Sequence, residues 1–185
     1  MTPQHLVETL RAAVTPATRI TIDAGAHMLP VLHLWDCAEP QEAQISRGLA
    51  TMGFALPAAI GACLTEPDRP VVAFTGDGGL MMCLGELGTA VQMGCKPLVV
   101  VFNDSSLALI GDKQRRRRFA RAGVDFSPTD FARVAGGFGW TAYRVATREQ
   151  LNDAVARALA ADGPALIDVE IDAETYHEQI LALRG

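Results

Sequence analysis

Short apolar runs alternate with amphipathic stretches along the chain. RITI (Arg19 to Ile22), PVVAFT (Pro70 to Thr75), PLVVVF (Pro97 to Phe102), TAYRVA and PALIDVEI are rich in β-branched side chains and read as strands, and a short strand is expected around Ala43 to Ser46. Between them the apolar spacing becomes helical. Pro3 to Val14 sets Leu6, Val7, Leu10 and Val14 on one face; Phe54 to Leu64 is a helix of small and apolar residues; LMMCLGELGTAVQMG reads as one helix. Ser105 to Ile110 is expected to begin another, and SPTDFARVAGGFG a further one with Ser127 or Thr129 near its start. TREQLNDAVARALAADG follows, with Thr147 as N-cap and Gly163 at its end, and Glu174 to Arg184 closes the chain as a helix. Trp35 to Ser46 loses periodicity and reads as a loop. The alternation predicts an α/β doubly wound fold: an open, mostly parallel sheet with helices on both faces.

At 185 residues and 49% hydrophobic content, residues 1–185 suffice for one sizeable core, and a single domain without repeats, linkers or low-complexity segments is expected. The net charge of −5 argues against a nucleic-acid partner. No stretch is apolar enough to span a bilayer, so no membrane role is expected. Cys37, Cys63, Cys83 and Cys95 lack CxxC spacing, which argues against zinc or iron–sulfur sites and for buried thiols in a reducing cytoplasm.

The chemistry concentrates at two strand ends. Gly76-Asp77-Gly78-Gly79 follows one strand, and Asn103-Asp104 follows the next. In a strand, helix, strand unit the strands run parallel and their carboxyl ends lie side by side, so Asp77 and Asp104 are expected at one sheet edge. Two hard oxygen donors suit Mg²⁺ or Ca²⁺. The adjacent glycines leave backbone N–H groups open, and the following helix presents its positive end, so a phosphate bridging metal and backbone is the natural guest. A solvated turn is the alternative.

The ordered set GDGGLMMCLGELGTAVQMGCKPLVVVFND, RGLATMGFALPAAIGA (Arg47 to Ala62) and DAGAH (Asp23 to His27) resembles the thiamine-diphosphate-dependent enzymes of the acetolactate synthase and 2-oxoacid decarboxylase type, in their diphosphate-binding domain. The resemblance implies thiamine diphosphate and Mg²⁺, with Asp77 and Asp104 as side-chain metal ligands and the Ser106 carbonyl as a backbone ligand; Asn103 is the adjacent alternative. It implies cofactor contacts from Gly25, Ala26 and His27, from Gly76, Gly78 and Gly79, and from Ala108 and Leu109. His27 could instead be a helix-start residue making an ordinary hydrogen bond. Ala50 matches a backbone contact to the aminopyrimidine ring, and Met52 matches the apolar prop that bends the cofactor; core filler is the other reading of Met52. Two departures stand out. Gly79 replaces a commonly polar residue, and Asp104 replaces the second member of an Asn-Asn pair, adding negative charge beside a diphosphate.

The resemblance also shows what this stretch lacks. In the family the glutamate that activates the cofactor comes from a pyrimidine-binding domain, usually across a dimer interface, so no residue here is assigned as catalytic acid or base. The expected protein is a cofactor-binding subunit, as in the split sulfopyruvate and phosphonopyruvate decarboxylases, or a piece of a longer enzyme; Met1 is compatible with the former. Its expected partners are a pyrimidine-binding subunit or domain, a small 2-oxoacid, and further copies or chains in an oligomer. A non-catalytic diphosphate-binding module is the alternative. Arg115 to Arg118 read as a solvated helix face or loop, or else as an anion clamp or salt-bridged interface; no aromatic residues interleave with them.

Overall fold

The computed structural model describes residues 1–184. Among these, β1 (Arg19–Ile22), β2 (Ala43–Ile45), β3 (Val71–Gly76), β4 (Leu98–Asn103), β5 (Thr141–Val145) and β6 (Ala165–Glu170) form one sheet in the order β2-β1-β3-β4-β6-β5. Every pairing is parallel, so the expected open doubly wound sheet is realised without an antiparallel edge. One face carries α1 (Pro3–Ala13), α2 (Met28–Leu34), α8 (Arg148–Leu159) and α9 (Glu174–Arg184). The other carries α3 (Ala55–Thr65), α4 (Asp77–Met82), α5 (Glu86–Gln92) and α7 (Phe131–Gly137).

The strands are apolar at nearly every position because both their faces are covered. In β4, Leu98, Val100 and Phe102 enter the core beneath α1 and α8, whereas Val99 and Val101 enter the core beneath α3 and α5. Thr2 caps α1 by accepting from His5 N at 3.3 Å, with Pro3 in the first turn. Thr147 and Gln150 form a reciprocal capping box on α8.

Local details differ from the sequence expectations. The stretch read as one helix divides: α4 stops at Met82, and the chain tightens through bonds from Cys83 N to Leu80 O (3.1 Å) and Glu86 N to Cys83 O (2.9 Å) before α5 begins. Gly85 and Gly88 give helix little intrinsic support, and the Phe138 ring lies 3.4 Å from where a Cβ on Gly88 would stand. Ser105 does not begin a helix. Its φ of 57° is left-handed, and α6 (Ala108–Arg116) starts only at Ala108. Asp130, rather than Ser127 or Thr129, caps α7, accepting from Arg133 N at 2.9 Å. α8 ends at Leu159, short of Gly163. All four cysteines are free, but Cys37 is exposed rather than buried. No helix among the described residues is long and apolar enough to cross a membrane.

Candidate functional site at the β1/β3 switch

From β1 the chain leaves toward β2, and from β3 it leaves the opposite way toward β4. Their carboxyl ends therefore diverge around a crevice, which is where open α/β sheets take their ligands. A cleft of about 350 Å³ lies there. Every residue assigned to the cofactor from sequence lines it: Gly25, Ala26 and His27 after β1, Ala50 and Met52 from the turn before α3, Gly76 to Gly79 after β3, and Asp104, Ser106, Ala108 and Leu109 after β4.

Asp77 is buried. Its Oδ1 accepts from Gly78 N at 2.6 Å, while Oδ2 has no partner. An orphaned carboxylate oxygen in a buried position is costly unless a cation or donor arrives. Burial pushes the Asp77 pKa up, opposed by the bonded Gly78 N–H and by the nearby N–H groups of Ser105, Ser106 and Asp104, none of which makes a hydrogen bond to Oδ2. Asp104 is pushed to about 7, by burial and then by the Asp77 charge, with the Ser106 hydroxyl donating to its Oδ1 at 2.7 Å as a partial counterweight. Two carboxylates thus share one pocket, and the Arg121 charge offsets the rise at Asp104 only in part. No group of three or more His, Cys, Asp or Glu side chains suited to a metal occurs among the described residues, so an ion here would depend on this pair and on backbone oxygen. The donor set fits a hard divalent cation. Asn103 serves elsewhere: its amide donates to Thr129 O and to Asp168 Oδ1, both at 2.9 Å.

The cleft walls explain the local glycines. A Cβ on Gly78 would stand 2.9 Å from the Leu107 side chain and 3.4 Å from Met52 Cε, so Met52 lies over the glycine loop. His27 is buried and stacks on Phe102 with centroids 5.3 Å apart. Burial lowers its pKa to about 4, against the pull of Asp23, so the ring is neutral at pH 7. It makes no cap bond to α2, and its Nε2 is buried without a partner. α4 is only six residues long, under two turns, so the open N–H groups of the loop matter more here than a long helix dipole.

The segment after β4 is held in place by a returning strap. Leu107 N bonds Val124 O (2.7 Å), Phe126 N bonds Ser105 O (2.8 Å), and Ser106 bridges Asp125. The arginine run straddles the end of α6: Arg115 pairs with Asp112 (3.3 Å) and Glu174 (3.0 Å), and Arg118 turns the chain at φ 58°. It is a solvent-facing helix end tied to α9.

Lys113 and Tyr176 also line the cleft, and neither was singled out from sequence. Lys113 lies four residues after Leu109, hence on the same helical face, which was a usable signal. Tyr176 arrives from α9, and nothing local in the sequence places it there. Its hydroxyl pKa is raised well above the ordinary value by burial and by the Asp104 and Asp77 charges.

Residues 23–169 match the profile of the family described as thiamine pyrophosphate enzyme, C-terminal TPP binding domain. The chain belongs to this family. Among curated proteins it is 36% identical over 170 residues to acetolactate synthase of Bacillus subtilis (strain 168), covering 92% of this chain and 30% of that protein. It is 36% identical over 174 residues to the acetolactate synthase isozyme 1 large subunit of Escherichia coli (strain K12), covering 91% and 30%. It is 32% identical over 178 residues to 3D-(3,5/4)-trihydroxycyclohexane-1,2-dione hydrolase of Lacticaseibacillus casei, covering 92% and 28%. The chain thus spans about 30% of the length of these relatives. The matched segment opens on Asp23 and runs into β6, enclosing all of the cleft except Tyr176.

Proposed function

We propose that this chain holds thiamine diphosphate and Mg²⁺ for an acetolactate synthase-like enzyme acting on a 2-oxoacid, and that a pyrimidine-binding domain or subunit completes its site. One observation carries the reading: the unpartnered, buried Asp77 Oδ2 beside Asp104, whose carboxyl is raised to about 7 by burial first and by the Asp77 charge second, in the switch-point cleft. A divalent cation between these carboxylates, shared with a diphosphate, would relieve both features. Asp77, Asp104 and a Ser106 backbone oxygen would hold the metal. The loop Gly76 to Gly79, with Gly25, Ala26 and His27, would receive the diphosphate. Ala50 and Met52 would orient the remainder, flanked by Ala108 and Leu109. When bound, the cofactor supplies an electron sink for the carbanion left as a 2-oxoacid loses carbon dioxide.

The chain's own contribution is binding, orientation and exclusion of water from one side. The cleft rim supports the need for a partner. Ile110 is exposed along the cleft, Met81, Met82 and Phe126 are exposed along a second, adjoining pocket that shares Asp77 and Gly78, and Leu49, next to Ala50, is 90% exposed; clustered exposed apolar side chains of this kind mark interaction surfaces. No side chain here is assigned to the activating acid. The similarity to acetolactate synthases favours transfer of that type over a split sulfopyruvate or phosphonopyruvate decarboxylase.

Calorimetric titration with thiamine diphosphate tests the reading, with Mg²⁺ and with chelator. Binding that requires Mg²⁺, and turnover of a 2-oxoacid that appears only with a pyrimidine-binding domain present, are expected. Binding indifferent to chelator, or robust turnover by this chain alone, would overturn it.

A further inference from the structure

We infer that Asp23 is a positioning residue that fixes the turn presenting Ala50 and Met52 to the cleft, an inference resting on the cofactor reading above. Asp23 directly follows β1, is fully buried, and does not line the cleft. Its Oδ2 accepts from Gly53 N at 3.0 Å and from the Thr75 hydroxyl at 2.9 Å, and its Oδ1 accepts from Phe54 N at 2.9 Å. One carboxylate therefore joins the ends of β1 and β3 to two consecutive amides of the turn that enters α3. Charged acceptors make the stronger class of hydrogen bond, and a buried one holds its donors more firmly than a solvated one.

Within the turn, Ala50 N bonds Ser46 O and the Ser46 hydroxyl donates to Thr51 Oγ1, both at 3.1 Å, but neither bond holds the amides of Gly53 or Phe54. Phe54, at the N-cap of α3, makes no side-chain cap bond. Ala50 sits at φ 49° and Gly53 at φ 78°. The first is a strained conformation for a residue with a Cβ, and such conformations persist only where the surroundings over-determine them. Asp23 adds to that constraint through Gly53 N, three residues after Ala50, and so helps to hold Ala50 left-handed and Met52 above Gly78.

The glycine loop bears the imprint of the same carboxylate. A Cβ on Gly79 would stand 2.0 Å from Asp23 Oδ2 and 3.0 Å from the Thr75 hydroxyl. The absence of a side chain at position 79, noted from sequence as a departure in a phosphate contact, is explained by the space Asp23 occupies. Asp23 is thereby wedged between the turn and the glycine loop, and it sets their separation.

Asp23→Asn keeps the volume but turns one acceptor into a donor facing an N–H or a hydroxyl. Two ligands separate its consequences in the purified protein. Mg²⁺ with inorganic pyrophosphate needs only the metal and glycine loops, whereas Mg²⁺ with thiamine diphosphate also needs the turn. Asp23→Asn is expected to weaken thiamine diphosphate by about tenfold, to leave pyrophosphate within about twofold, and to speed amide exchange at Gly53 and Phe54 by about tenfold. Thr75→Val, which removes one of the three bonds and spares the carboxylate, gives the same pattern in smaller measure and covers the case in which Asp23→Asn fails to fold. Equal weakening of both ligands, or unchanged exchange at Gly53 and Phe54, overturns the inference. Exchange is read without ligand, so a wild-type protein that binds neither ligand overturns the cofactor reading while exchange still decides the case of Asp23.

Discussion

Asp104→Asn is expected to stabilise the metal-free protein by an amount that grows with pH. The Asp104 carboxyl is held at about 7 in the fold, chiefly by burial and next by the Asp77 charge, against an ordinary value of 3.8. Because folding raises this pKa, the folded state binds the proton more tightly than the unfolded chain. That advantage is fully present below 3.8 and is lost as pH rises through 7. Asparagine resembles the protonated acid in shape and carries no such slope. The interval from 3.8 to about 7, at about 1.4 kcal/mol per pH unit, lets the gain of the variant grow by up to about 4 kcal/mol between pH 4 and pH 8. His27 has the opposite slope, since burial lowers it from 6.5 to about 4 and stability from that source rises with pH across the interval. It acts equally in both proteins and cancels in their difference. Urea unfolding in chelator at pH 4, 6 and 8 measures that difference without the ionic screening of guanidinium, and saturating Mg²⁺ should shrink it at pH 8. A difference independent of pH, or a variant less stable than its parent at pH 8, would refute the picture of two carboxylates confined together.

Asp77→Ala should abolish measurable thiamine diphosphate binding by calorimetry as thoroughly as chelator does; unchanged binding in both would remove the metal assignment. Met52→Ala should leave pyrophosphate binding intact and mainly impair turnover of the assembled enzyme, with Met52→Leu mild. Equal losses of folding stability with normal specific activity would mark Met52 as core filler instead. Asp168 accepts from Asn103 and from Phe131 N, both at 2.9 Å, in a fully buried position. Asp168→Ala should cost about 2–4 kcal/mol in urea unfolding, because those donors lose their acceptor, and a loss well under 1 kcal/mol would show that water replaces the carboxylate.

The strands were legible because burial on both faces demands unbroken apolar runs, and Val99 and Val101 alternate with Val100 and Phe102 between two cores. The convergence of Asp77 and Asp104 followed from parallel strands ending side by side. Helix interiors were less legible, because spacing alone does not reveal where packing overrides it. Cys83 to Gly85 break an otherwise helical pattern, and Ser105 adopts a left-handed turn that its residue type only weakly signals. The resemblance drew attention to residues that line the cleft and passed over the struts behind them. Asp23 stood at the head of a recognised motif, yet its bonds reach thirty and more residues along the chain to Gly53 and Phe54, a relation with no periodic signature. Gly79 looked like a lost phosphate contact until the space beside it proved to be occupied.

The position of β6 between β4 and β5 has a consequence for how the chain comes off the ribosome. β5 is made before the strand it pairs with, and the outer edge of β4 stays open until Ala165–Glu170 emerge. At about 5–20 residues per second, the interval between the end of β5 and the start of β6 lasts roughly one to four seconds. Through that interval β5 has no sheet neighbour, and β4 presents a bare row of pairing groups. By then β2, β1, β3 and β4, with Asp23, the turn at Ala50 and the glycine loop, already exist as four contiguous strands of the six. The nascent chain can therefore consolidate the cleft-bearing strands first and accept β6, with α8 and β5 attached, as a late-docking outer wing.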